Sequence, residues 1–251
     1  MTGVLPIALE EATKVIQALL KAGKEYVGVM RLHEDVPERK VIEVTGEFQG
    51  KIYQRPPFRA SVKRSLRVRT IYYLEILEID GRDVLFKVGC EAGTYIRKLI
   101  HDVGKALGCG AHMQELRRIR AGPFTEDFVN VTLHDVLYLY NKWLETKDIR
   151  ILRRFIMPME KALEFLPKVF VKDSAVDAIC HGAHLTAPGI AYVESDIKPR
   201  DVIAILTLKG EAVALGTAVA STEEMLKATY GIMAKTERVL MPRGTYPKMW
   251  K

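Results

Sequence analysis

Cysteine is scarce in this chain, and long apolar runs are absent. Only three of the 251 residues are cysteines: Cys90, Cys109 and Cys180. They lie far apart and form no Cys-x-x-Cys pair, which removes the usual zinc and redox spacings. Three isolated thiols fit a reducing compartment, so a cytoplasmic, intracellular location is expected. No window approaches the roughly 20 apolar residues that span a bilayer, so no membrane partner is expected. Glu10 and Glu11 interrupt the one short apolar run near the N-terminus, which therefore does not read as a signal peptide. Internal repeats, low-complexity tracts and long linkers are also missing.

What remains is an ordinary globular composition, 48% hydrophobic and 27% charged, with a length for one large domain or two smaller ones. The net charge is +7, which favours a polyanionic partner. Residues 1–165 carry 27 basic and 22 acidic side chains, whereas residues 166–251 carry 11 and 9, so most of the excess lies in the first part.

Periodicity gives a mixed architecture. Ala12, Val15, Ile16, Leu19 and Leu20 make one apolar face of a helix over about 9–21, ended by Gly23. Tyr26–Leu32 reads as a strand. Ile71–Ile79 and Val84–Cys90 flank Asp80-Gly81, a hairpin turn signal. A second helix is expected over 94–107, with Ile96, Leu99, Ile100, Val103 and Leu107 buried, Thr94 as N-cap and Gly108 as its stop. A third starts at Thr132 with Asp135 three residues on, and Leu133, Val136, Leu137, Tyr140 and Leu144 form its core face. Near Leu166-Pro167 the texture changes to short β-type runs (Val202–Leu208, Ala212–Val219, Arg238–Leu240) with one helix, Ser174–Cys180. That pattern predicts a small β-barrel of about 80 residues.

Residues 51–69 hold seven basic residues and no acidic one. Cations placed near phosphates release counterions, so such a stretch adds affinity for nucleic acid. Tyr53 and Phe58 are interleaved and can stack on bases. Pro56 and Pro57 keep the segment out of helices and central strands, which makes it a loop or an edge. Arg55, Arg59, Lys63, Arg64 and Arg67 are its candidate RNA contacts. Arg117 and Arg118, with Arg120 beside them, form a second basic cluster, for which structural salt bridges are the competing explanation.

Taken together, several segments resemble the TruB/dyskerin family of pseudouridine synthases, nearest to its archaeal dyskerin branch. Thr2-Gly3-Val4-Leu5-Pro6 looks like the end of the family's nucleophile loop, and Lys24-Glu25-Tyr26 like its Lys-x-Tyr motif. Gln54-Arg55-Pro56-Pro57 through Ser61-Val62-Lys63 looks like its thumb loop. Gly93-Thr94-Tyr95-Ile96-Arg97-Lys98-Leu99-Ile100 is the most diagnostic match, and Leu116-Arg117-Arg118 resembles the next motif. His181-Gly182-Ala183 with Ala187-Pro188-Gly189-Ile190 looks like a PUA domain, an RNA-binding module. No single tripeptide is specific; the ordered set covers essentially the whole chain.

The resemblance implies an α+β fold: a mixed, largely antiparallel pseudouridine-synthase sheet with helices over 1–166, then a PUA-type β-barrel over 167–251. It implies uridine isomerisation in RNA without metal or organic cofactor. An aspartate acts as nucleophile on a nucleotide flipped out of its RNA. Tyr26 would stack on the flipped base and assist proton removal. Arg97 would pair with the aspartate, and Tyr95 and Leu116 would line the pocket. The partners implied are an H/ACA guide RNA, substrate RNA, a small zinc-ribbon-like protein, a Gly/Arg-rich protein and a kink-turn-binding protein.

One departure stands out. The family places Gly-Thr-Leu-Asp-Pro just upstream of the Thr-Gly-Val-Leu-Pro stretch, where this sequence has Met1. The expectation is a chain lacking its nucleophile and inactive as it stands, from a truncation, a split gene or a mis-called start. Of these the mis-called start is the favoured expectation, since a valine GUG codon read as initiator would put Met one residue before Thr2. A stand-alone tRNA pseudouridine synthase is the close variant of this reading, and a non-catalytic RNA-binding scaffold is the alternative from a different class.

Overall fold

The computed structural model describes residues 2–57, 63–127 and 131–249. Arg59 and Phe58 lie outside the described residues. The chain divides into two compact units, Met1–Pro6 with Leu20–Asn141, and Ile7–Leu19 with Lys142–Lys251.

The first unit is built on β1 (Thr2–Gly3), β2 (Lys24–Leu32), β3 (Gly50–Gln54), β4 (Arg67–Asp80), β5 (Asp83–Cys90), β6 (Ala111–Ala121) and β7 (Phe124–Thr125). They form a seven-stranded sheet in the order β1-β6-β2-β5-β4-β3, with β7 added on β6. Every pairing is antiparallel except β1 with β6. The expected hairpin is there: Asp80 pairs with Asp83, and Gly81 takes φ +56°, which costs glycine little.

Helix α1 (Ile16–Lys21) follows a 3-10 segment, Glu10–Val15. The predicted apolar face is only partly used here. Val15 and Ala18 are buried while Leu20 is exposed. Helix α2 (Glu38–Gly46), which periodicity did not indicate, buries Val41 and Thr45. Helix α3 (Ile96–Leu107) buries the five predicted residues against the sheet and stops at Gly108 in the left-handed region. Thr94 is not its N-cap: the hydroxyl donates to the Glu91 carbonyl, and Tyr95 holds the cap position. The core joins α3 to Met30, Val84, Phe86, Val88, Cys90 and Leu116.

Helix α4 (Leu133–Thr146) starts where Thr132 and Asp135 bond reciprocally. Its predicted core face is a correction. Leu133, Leu137, Tyr140 and Leu144 are exposed, and Leu139 is the buried residue. A 3.6-residue stripe marks an apolar surface but carries no information about what covers it.

In the second unit, α5 (Ile149–Leu152) precedes β8 (Lys168–Val171), α6 (Asp173–Cys180), β9 (Leu185–Thr186), β10 (Ile190–Val193), β11 (Val202–Thr207), β12 (Ala212–Ala218), α7 (Thr222–Lys227) and β13 (Ile232–Val239). The six strands run β10-β8-β11-β12-β13-β9, parallel only between β8 and β11. They and the two longer helices enclose a core of Val169, Val171, Val176, Ile203, Ile205 and Val213, all essentially inaccessible.

Candidate functional site

Residues opposite one another across β2, β5 and β6 share a face, so Lys24, Tyr26 and Gly28 align with Cys90, Val88 and Phe86 on one side. On the other side Tyr26 meets Arg118 and Gly28 meets Leu116. This is the face on which α3 packs, and Tyr26 is half-buried against that core. Strand β5 ends at Cys90 beside Lys24, and the chain then turns through Glu91–Thr94 into α3. The start of α3, with Tyr95 and Arg97, therefore lies at the Tyr26 end of the sheet. Tyr26 and Leu116 share a face; Tyr95 caps α3, whose buried residues pack in the same core. Arg97 is exposed in the first turn, and its side chain has no hydrogen bond or ion pair among the described residues.

Tyr95 is held by a residue that sequence reasoning had placed only as part of a loop motif. Gln54, 2% exposed, accepts from the Tyr95 N–H at 3.0 Å and donates Nε2 to the Tyr95 carbonyl at 3.3 Å. A buried carboxamide must satisfy both ends, and the Tyr95 backbone does so. Gln54 is also the last residue before Arg55-Pro56-Pro57, so the foot of the basic loop is fixed to the start of α3. Between them lies an open cleft of about 590 Å³ lined by Tyr53, Arg55, Pro56, Arg64, Lys98 and His101. Arg55, Lys63 and Arg64 are exposed and Arg67 half-buried. The Arg64 Nε donates to the Pro56 carbonyl, and Arg67 donates to that of Lys63.

The second basic cluster separates into three environments. Arg117 pairs with Glu126 at 2.5 Å and Arg120 with Glu25 at 2.5 Å. Arg118, expected on an RNA surface, is half-buried, and its Nε donates to the Val4 carbonyl at 2.6 Å. It also lies directly across from Tyr26, where its cation favours the ionised phenol.

Burial raises the Tyr26 phenol above its ordinary value, with nearby Cys90 adding to this and Arg118 opposing it. Burial pushes the Cys90 thiol up to about 11, against a hydrogen bond from Thr94 and the charge of Lys24. Lys24 is lowered by burial and then by Arg118, while its ammonium donates to the Leu20 and Ala22 carbonyls. Lys24 and Arg118 thus bring two cations to this end of the sheet. Among the described residues, no group of three or more His, Cys, Asp or Glu is arranged to hold a metal, and no helix is long and apolar enough to cross a membrane.

Profiles of known families match nearly the whole chain: the N-terminal domain of TruB family pseudouridylate synthase over 1–96, the C-terminal domain of tRNA pseudouridylate synthase B over 97–164, and the PUA domain over 167–240. A probable tRNA pseudouridine synthase B of Pyrococcus horikoshii is 61% identical over 250 residues, covering 100% of this chain and 75% of that protein. This chain belongs to the TruB family of pseudouridine synthases. The Methanopyrus kandleri relative is 62% identical over 100% of this chain and 74% of its own. Among solved structures, a chain of a Cbf5-Nop10-Gar1 complex matches with a TM-score of 0.94 and 60% identity over 98% of this chain and 75% of that one. A chain from an H/ACA RNP bound to a substrate RNA containing 2'-deoxyuridine matches at 0.92 and 58%, over 99% and 75%. An α+β synthase fold followed by a PUA domain, an isomerase by family, is thereby established.

Proposed function

We propose that this chain forms the uridine pocket and the RNA-holding surfaces of a guide-directed pseudouridine synthase working in an H/ACA ribonucleoprotein. The observation that carries the reading is the arrangement at one end of the first sheet. A half-buried Tyr26 packs on the core that α3 shares, and Gln54 links the start of α3 to a basic loop. In this reading Tyr26 stacks on the flipped uracil and assists removal of the proton from its carbon. Arg97, whose side chain is uncommitted, holds the nucleophilic carboxylate ionised. Tyr95 and Leu116 wall the pocket. Arg55, Arg59, Lys63, Arg64, Arg67 and Arg117 meet phosphates. Residues 167–251 form the RNA-binding module, and residues 1–166 belong to the catalytic one. The partners are guide and substrate RNA with proteins like the Nop10 and Gar1 of the similar complex, together with a kink-turn-binding protein.

The chemistry needs a carboxylate nucleophile, and no Gly-Thr-Leu-Asp-Pro segment occurs in the 251 residues. We therefore propose that these residues alone do not turn over. Loss of an essential nucleophile costs several orders of magnitude, about 10⁶ in the subtilisin series. The test is tritium release from 5-tritiated uridine RNA, with guide RNA and accessory proteins, by this chain and by one extended upstream through Gly-Thr-Leu-Asp-Pro. Release by the extended chain alone is expected. Release by the short chain overturns the inactivity. Silence from both, with RNA still bound, favours a non-catalytic scaffold, and guide-free release from tRNA favours a stand-alone enzyme.

A further inference from the structure

We propose that Arg118 is a positioning residue that fastens Tyr26 and the Thr2–Val4 segment to each other. This role rests on the reading of Tyr26 as the residue that meets the base.

The strand register turns Arg118 inward. Glu25 pairs with Arg120, but its neighbour Tyr26 pairs with Arg118, so Ile119 is passed over in a bulge. Regular pairing would set Ile119 opposite Tyr26 and turn Arg118 to the other face. A bulge re-aims a side chain, and this one turns Arg118 to the face that carries Tyr26.

Hydrogen bonds then tie β6 to the Thr2–Val4 segment. Val4 N–H donates to the Arg118 carbonyl at 2.8 Å, and Arg118 Nε donates back to the Val4 carbonyl at 2.6 Å. Thr2 and Gly3 run parallel to Arg117 and Arg118. Gly3 takes φ +100°, and a Cβ there would collide with the Arg118 backbone, so the two segments approach as only glycine allows. Arg118 thus holds the strand with both its backbone and its side chain. Tyr26 lies directly opposite on the neighbouring strand, with the Arg118 cation favouring its ionised phenol.

Charge points the same way. Arg117 and Arg120 each have a carboxylate, whereas Arg118 meets none among the described residues. A half-buried guanidinium spent on a carbonyl and a phenol is a weak stabiliser. It is a good orienting device, because its planar donors fix two acceptors in one geometry. On this proposal the phenol oxygen accepts from Arg118, which would hold the ring in one rotamer with its O–H turned away from the guanidinium.

The test uses tyrosine labelled with 13C at Cζ, with the Tyr26 signal assigned by Tyr26→Phe. The groups that act on Tyr26 are Cys90 on β5 and Arg118 on β6, with Lys24 coupled to both of these. Arg118→Met should move the Tyr26 titration upward by about half a pH unit or more, since a cation hydrogen-bonded to the ionised form is removed. Arg118→Lys, which keeps charge without the fork, should move it less. Arg117→Met should leave it in place. In the chain extended through Gly-Thr-Leu-Asp-Pro, Arg118→Met should slow single-turnover release about tenfold or more, with RNA affinity and its salt dependence unchanged. If Arg118→Met fails to fold, Arg118→Gln, which also removes the charge, reads the same titration. An unmoved Tyr26 signal, with weaker RNA binding and a shallower salt slope, overturns the proposal and makes Arg118 an RNA contact. If no extended chain is active, the pocket reading fails, while the titration still decides whether Arg118 holds Tyr26.

Discussion

Single residues at the site are defined by what burial denies them. Cys90 is 1% exposed, and its thiol sits near a pKa of 11. Only thiolate reacts with alkylating agents, so Cys90 should resist iodoacetamide at pH 8 in the native protein and react on unfolding. Mass mapping with and without denaturant checks this. Gln54→Leu strands the Tyr95 N–H and should cost about 1–3 kcal/mol, read as a lower denaturant midpoint. Gln54→Glu keeps the acceptor but sets a carboxylate against the Tyr95 carbonyl. The introduced carboxyl is then raised above its unfolded pKa in the folded state. Its stabilising contribution is full below the unfolded value and is lost as pH rises through the folded one. The gap from wild type should therefore narrow on acidification, and a gap that widens contradicts the two-point contact. Neither Gln54 nor the inward turn of Arg118 was legible in the sequence. One depends on a partner 41 residues away and the other on a bulge, and periodicity registers neither.

At the scale of elements, legibility followed locality. The helix over 96–107 declared itself because five apolar residues at helical spacing end at a glycine that takes the left-handed conformation. The Asp80-Gly81 hairpin is equally local. Helix α4 misled because its stripe is genuine and mostly uncovered in this chain. The basic loop is an element whose role reads as charge. Replacing Arg55, Arg59, Lys63 and Arg64 by Ala should weaken RNA binding. It should also flatten log K against log salt by roughly 0.7–0.9 for each phosphate that the loop no longer neutralises. An unchanged slope would take the loop off the RNA backbone. In α7, Ser221 and Glu224 form a capping box, so Ser221→Ala should cost about 1 kcal/mol in denaturant unfolding.

For the molecule as a whole, stability should be limited by acid rather than base near neutrality. Asp35, Asp135, Asp148, Glu211 and Glu224 are all held below the usual carboxylate range, each first by a hydrogen bond to its own partner. Depressed folded values mean stabilisation that is present above the unfolded pKa, near 4, and lost as pH falls through the folded ones. Melting temperatures should be flat from neutrality to about pH 5 and fall below about pH 4. The second core draws only on residues from Val169 to Tyr246, and Glu160 accepts from the Ala212 N–H at 2.9 Å. A fragment of residues 158–251 should therefore melt in one cooperative step by circular dichroism; a gradual loss would mean that residues 7–19 are needed. Fold class and the ordered motifs were readable along the whole length, because hydrophobic pattern and motif order survive without coordinates.

The bond pair between Gln54 and Tyr95 has a mechanical corollary. The chain enters the basic loop through Arg55 and two prolines, a short strut with little freedom to twist. One end of that strut is bolted to the first turn of the helix that carries Arg97. A pull on Arg55 is thus delivered, through its neighbour Gln54, to the backbone of Tyr95. If Tyr95 walls the pocket as proposed, grip and pocket shape are a single variable, and an RNA that loads the loop in a skewed pose would itself spoil the geometry.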